Sequence, residues 1–166
     1  MEYLDLVSSH DTVIGSAEKN QIYAKGLQYF RVINGFIINK DTKIWIPRRH
    51  PTKQLLPLYL DASVGGHVIA GEDYDQAFKR ETYEELRIDT EQVAYKKLCK
   101  LNPIEHKTSS FMWIYLLFQN DKPTFNENDF VESYWLSIDE FFARIAQGDQ
   151  AKSDLPIILK HIKNLL

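Results

Sequence analysis

The chain has 166 residues, with 44% apolar and 26% charged side chains, and its 20 Lys+Arg against 23 Asp+Glu give a net charge of −3. That size predicts a single domain over residues 1–166, and that composition excludes a disordered chain. The acidic balance argues against a coat for nucleic acid, and the one cysteine, Cys99, excludes an internal disulfide and a Cys-rich zinc site.

In chain order, Tyr3–Val7 and Thr12–Gly15 read as a short hairpin. Ala17–Ala24 is helical in character and Gly26 stops it. Phe30–Asn39 is a strand rich in Val, Ile and Phe, returned by Lys43–Ile46. A loop with Pro47, Pro51 and Pro57 leads to the pair Gly65-Gly66. Asp73–Leu86 is a helix with acidic residues at its start. Glu91–Leu101 and Ser109–Gln119 form a second strand pair, followed by a short strand at Tyr134–Leu136. Ser137 with Glu140 makes a capping box for the next helix, and Leu155–Leu166 is the last one. Interspersed strands and helices put the fold in the α/β (α+β) class, a mixed β-sheet sandwiched between α-helices.

The N-terminus has no basic and apolar leader, and the longest apolar run, Phe111–Phe118, is far short of the roughly 20 residues a span needs. These features predict a soluble, cytoplasmic protein with no membrane partner.

Chemistry concentrates between Gly66 and Ile88. At about 100° per residue, Glu81, Glu84 and Glu85 share one helix arc about 100° wide. Phe78, Thr82 and Leu86 fall on the adjoining side, toward a core. Like charges at i,i+3 and i,i+4 cost about 0.2–0.5 kcal/mol per pair, and no lysine intervenes. A hard divalent cation relieves that repulsion, and Mg²⁺ also bridges phosphate oxygens. The alternative is a solvated acidic face.

This segment resembles the Nudix box, G-x5-E-x7-R-E-U-x-E-E-x-G-U, with U a bulky apolar residue. Gly66, Glu72, Arg80, Glu81, Glu84, Glu85 and Ile88 fall in register. Thr82 replaces a bulky apolar residue, and Arg87 replaces the glycine that ends the helix. If position 87 is left-handed, the side chain costs about 1–2 kcal/mol. The resemblance implies a hydrolase of organic diphosphates that uses Mg²⁺ or Mn²⁺. It implies Glu81, Glu84 and Glu85 as ligands, with Glu72 in support or binding metal through water. It also implies the Gly65 carbonyl as a backbone ligand and Arg80 orienting a glutamate. The general base is Glu81 or a carboxylate outside the box, among Glu105, Glu127, Asp129 and Glu132.

Residues 3–90 further resemble the branch of the family related to isopentenyl-diphosphate isomerase. That likeness implies diphosphate contacts from Arg49 and Lys53 and a place in the site for His67. The isomerase places its catalytic cysteine in a run S-V-C-G-H, where this chain has Ser63-Val64-Gly65-Gly66-His67. Glycine has no side chain to move a proton, so hydrolysis is the expected reaction, on a nucleoside- or isoprenoid-type diphosphate. An isomerase and a silent sensor of a nucleotide-like ligand are the alternatives. The resemblance leaves a homodimer open.

Overall fold

In the computed structural model, which describes residues 1–166, the chain opens with a hairpin of β1 (Tyr3–Val7) and β2 (Val13–Glu18). β2 runs three residues beyond the expected end at Gly15, and α1 shrinks to Lys19–Ala24. The ladder is the cause. Pairing of Ser16, Ala17 and Glu18 with β1 occupies backbone groups that a helix N-terminus leaves unpaired.

The main sheet comprises β3 (Arg31–Ile38), β4 (Ile44–Arg49), β5 (Val64–His67), β6 (Tyr95–Leu101), β7 (Phe111–Phe118) and β8 (Phe130–Leu136). Its order is β6-β7-β3-β4-β8, with β5 also pairing with β3. β3 and β7 run parallel, and the other pairs are antiparallel. The helices that follow α1 are α2 (Tyr74–Leu86), α3 (Ile138–Ala146) and α4 (Asp154–Ile162). None is long and apolar enough to cross a membrane.

Strand alternation divides the core between two faces. Ile33, Ile37, Trp45, Tyr115 and Leu117 meet Ala77, Phe78 and Leu86 of α2. Phe36, Ile44, Ile46, Met112, Ile114 and Leu116 meet Phe141 of α3 and Leu155, Ile158, Leu159 and Ile162 of α4. Each such buried side chain contributes about 1.5–3 kcal/mol. The expected sheet between helices is therefore present, and Phe78 stacks on Tyr115 with ring centroids 4.0 Å apart.

Several boundaries differ from expectation. β4 continues through Pro47 to Arg49 because it pairs with β8, which itself begins at Phe130 rather than Tyr134. Proline is tolerated there because β3 and β4 pair only at Ile38 and Ile44 and then separate. The segment 59–63 fills the gap: Asp61 N donates to Pro47 O at 3.0 Å, and Ser63 Oγ accepts from Ile37 N and donates to Trp45 O. β6 starts at Tyr95, since a turn joining Gln92 N to Asp89 O occupies residues expected in the strand. α4 ends at Ile162, whose carbonyl accepts from Leu165 N and Leu166 N. The Ser137–Glu140 capping box is present.

Candidate active site

α2 starts at a second capping box, in which Asp73 accepts from Gln76 N and the Gln76 side chain accepts from Asp73 N. It ends at Arg87, which adopts the left-handed conformation at φ 56°, and whose N–H donates to Tyr83 O. Between these ends, burial of Ala77, Phe78, Thr82 and Leu86 sets the rotation of the helix. That rotation carries Glu81 and Glu85 to β5 and leaves Glu84 exposed.

The contact with β5 is close. Gly65 N donates to Glu85 Oε2 at 3.1 Å. A Cβ on Gly66 would lie 2.0 Å from the Glu81 carboxyl carbon, so only glycine fits beneath that carboxylate. The backbone of Glu85 is held as well, since its carbonyl accepts from Asn126 N at 3.0 Å.

Arg80 ties the acidic groups together. Its guanidinium donates to both oxygens of Glu72 at 2.8 and 2.9 Å, to Glu81 at 2.7 Å and to the carbonyl of His67 at 2.9 Å. Glu84 lies at 3.5 Å from the same group. Glu72 also accepts from Ile69 N, so its carboxylate is fully engaged. In this conformation no three acidic, His or Cys side chains converge as a closed metal cage.

The electrostatics nevertheless suit a hard cation. Burial pushes the Glu81 carboxyl up, Arg80 pulls it back, and Glu84 adds to the rise. Burial pushes Glu85 well above the usual carboxylate range, and the charges of Asp61 and Glu81 reinforce it. Against this stands one N–H, from Gly65, and the other Glu85 oxygen has no donor. Half-buried carboxylate oxygens short of donors fit Mg²⁺ or Mn²⁺ in chemistry.

A cleft of about 1320 Å³ borders these groups. Glu81, Glu84, Arg80, Gly65, Gly66 and His67 line it, and so do Arg49, Lys53 and Lys152. Glu85 lies outside the lining, against the Gly65 N–H. Glu105, Glu127, Asp129 and Glu132 do not line it either.

The basic loop has internal partners. Arg49 donates to the carbonyls of Leu55 and Leu56 and, at 2.8 Å, to Asp61. Lys53 pairs with Asp129. Asp61 also meets Lys152 at 3.1 Å; burial pushes its carboxyl up, and Lys152 and Arg49 more than offset that rise. The sequence reading missed Asp61 and Lys152. The available signal was a lone acid inside the mainly apolar stretch Leu58–Val64.

His67 is part of an aromatic group. Its Nε2 lies 2.8 Å from the Tyr23 hydroxyl, and Phe30 stacks on the ring with centroids 6.0 Å apart. Burial lowers the imidazole to about 4, so it is neutral at pH 7. Cys99 is half-buried in β6, away from the cleft lining.

Known proteins share this chain's sequence and fold. The family model described as the NUDIX domain matches residues 28–158. An uncharacterised Nudix hydrolase of Nostoc is 44% identical over 155 residues, covering 93% of this chain and 92% of the relative. A Nudix hydrolase of Deinococcus radiodurans is 40% identical over 159 residues, covering 96% and 92%. The crystal structure of DR0079 from Deinococcus radiodurans superimposes with a TM-score of 0.91 at 40% identity, over 96% of this chain and 98% of that one. An Ap4A hydrolase of C. elegans shares the fold at a TM-score of 0.57 and 21% identity, over 81% of this chain and 96% of that one.

Proposed function

Since the chain belongs to the Nudix hydrolase family, we propose that it cleaves the diphosphate linkage of a nucleoside- or isoprenoid-type diphosphate, with water attacking phosphorus. Mg²⁺ or Mn²⁺ would be held by Glu81, Glu84, Glu85 and the carbonyl of Gly65. The observation that carries this reading is Glu85, a half-buried carboxylate with a single N–H donor, raised by burial and by its acidic neighbours Asp61, Glu81 and Asp129. When bound, the metal supplies charge neutralisation at the phosphates and a more acidic water.

The chain's own residues supply the rest. Arg80 holds Glu81 and Glu72 and anchors both to the β5 backbone through His67 O. Glu81 is the base in this reading, because it lines the cleft and the four alternative carboxylates do not. Arg49 and Lys152 share Asp61 and face the cleft that would receive an anionic substrate. Gly65 has no side chain to move a proton at carbon, which favours hydrolysis over isomerisation.

The test is a panel of organic diphosphates with Mg²⁺, Mn²⁺ or EDTA, run beside Glu84→Gln and Glu85→Gln. Metal-dependent release of phosphate products, lost about 100-fold or more in Glu85→Gln, is the expected result. Turnover that survives EDTA and both substitutions would overturn the reading.

A further inference from the structure

We propose that the side-chain amide of Asn34 reads the edge of a nucleobase, in a slot opened by the missing side chain of Gly65. This inference rests on the hydrolase reading and chooses between the two organic groups it leaves open.

Asn34 interrupts the apolar run of β3 and is 9% exposed. An amide set this deep in a strand is normally paired within the protein. Here Nδ2 has only the Met112 thioether, a weak acceptor, at 3.6 Å, and Oδ1 accepts no hydrogen bond. The residue forms part of the cleft lining, so the unpaired amide faces ligand space. Across the ladder stands Gly65, and a Cβ there would lie 3.3 Å from Asn34 Oδ1. Any larger residue at position 65 would cover the amide oxygen.

Val32, Ala62, Leu155 and Ile158 supply apolar surface in the same cleft. A slot with apolar walls and one amide matches a flat, uncharged group with a donor beside an acceptor. A nucleobase edge has that pattern. An isoprenoid tail would dehydrate Asn34 and leave it unpaired, and sites built to hydrogen-bond a ligand reject apolar analogues strongly. Gly65 also touches Glu85, so slot and acidic site adjoin, as one molecule carrying base and diphosphate requires.

The test measures calorimetric binding of the four nucleoside monophosphates and geranyl monophosphate to the full chain without metal. Hydrolysis of the corresponding diphosphates with Mg²⁺ is followed in parallel. At least one nucleoside monophosphate is expected to bind about tenfold or more tighter than geranyl monophosphate, and Asn34→Leu to erase the gap. In turnover, Asn34→Leu raises KM for the nucleoside diphosphate about tenfold with a smaller change in kcat. Asn34→Ser carries the same expectation should the leucine variant fail to fold. Geranyl binding as tight as that of every nucleotide, or a gap that survives both variants, overturns the proposal. Metal-dependent hydrolysis indifferent to Asn34 removes this proposal and leaves the hydrolase reading. Base-selective binding lost in Asn34→Leu, with no diphosphate hydrolysed, leaves the slot and removes the hydrolase.

Discussion

Gly66 lies so close beneath Glu81 that a methyl group at position 66 would stand 2.0 Å from the Glu81 carboxyl carbon. Gly66→Ala therefore displaces Glu81 from β5. Misplacement of a catalytic group by about 1 Å costs on the order of 100-fold in rate, so kcat should fall by that amount. Metal titrations should show weaker binding in the same variant. Native kcat in Gly66→Ala would contradict the role given to Glu81.

Arg87 ends α2 at φ 56°, a conformation in which a side chain costs about 1–2 kcal/mol. Arg87→Gly removes that cost and gives up the contact of the guanidinium with the Tyr83 ring, as well as some backbone entropy of the unfolded chain. The net expectation is a gain of about 0.5–1 kcal/mol in urea unfolding. A loss of stability would show that the ring contact outweighs the backbone.

Thr82 is fully buried and its hydroxyl has no hydrogen-bond partner. Valine keeps the branched shape and removes the unpaired group. Thr82→Val should stabilise the metal-free chain by about 1 kcal/mol, read as a higher urea midpoint at constant m. Destabilisation would mean that the hydroxyl is satisfied in solution.

Asp149 receives two bonds from Arg48 at 2.8 Å, which lower its carboxyl from 3.8 to about 2. The unfolded chain binds more protons between those values, so this contribution is complete above pH 3.8 and disappears as pH falls toward 2. At pH 7 Asp149→Asn should cost about 1–2 kcal/mol. Unfolding curves of the two proteins should converge in acid, and a gap that widens there would refute the assignment.

Much of this was legible in the residues, and the exceptions share a cause. α2 and its acidic arc follow from helical spacing, and β7 from an unbroken apolar run, because both patterns are local. The longer β4 and β8 depend on partners distant in sequence, and the longer β2 on how far its hairpin ladder runs, neither of which periodicity records. The same holds in the cleft. Arg49 and Lys53 are visible as a basic loop, yet their counter-ions Asp61 and Asp129 are revealed only when the chain closes. Asn34 is visible as one polar letter in an apolar strand. Its unpaired amide is a property of packing.

The bond from Asn126 N to the carbonyl of Glu85 has a consequence for how the protein can vary. Glu85 is the penultimate residue of α2, where helices unwind first. A peptide from the distant segment before β8 clasps that final turn from outside. Shortening or relaxing the segment would let the turn loosen and Glu85 drift, though every charged side chain of the site were intact. Sequence drift in the segment before β8 thus has a mechanical route to the acidic centre.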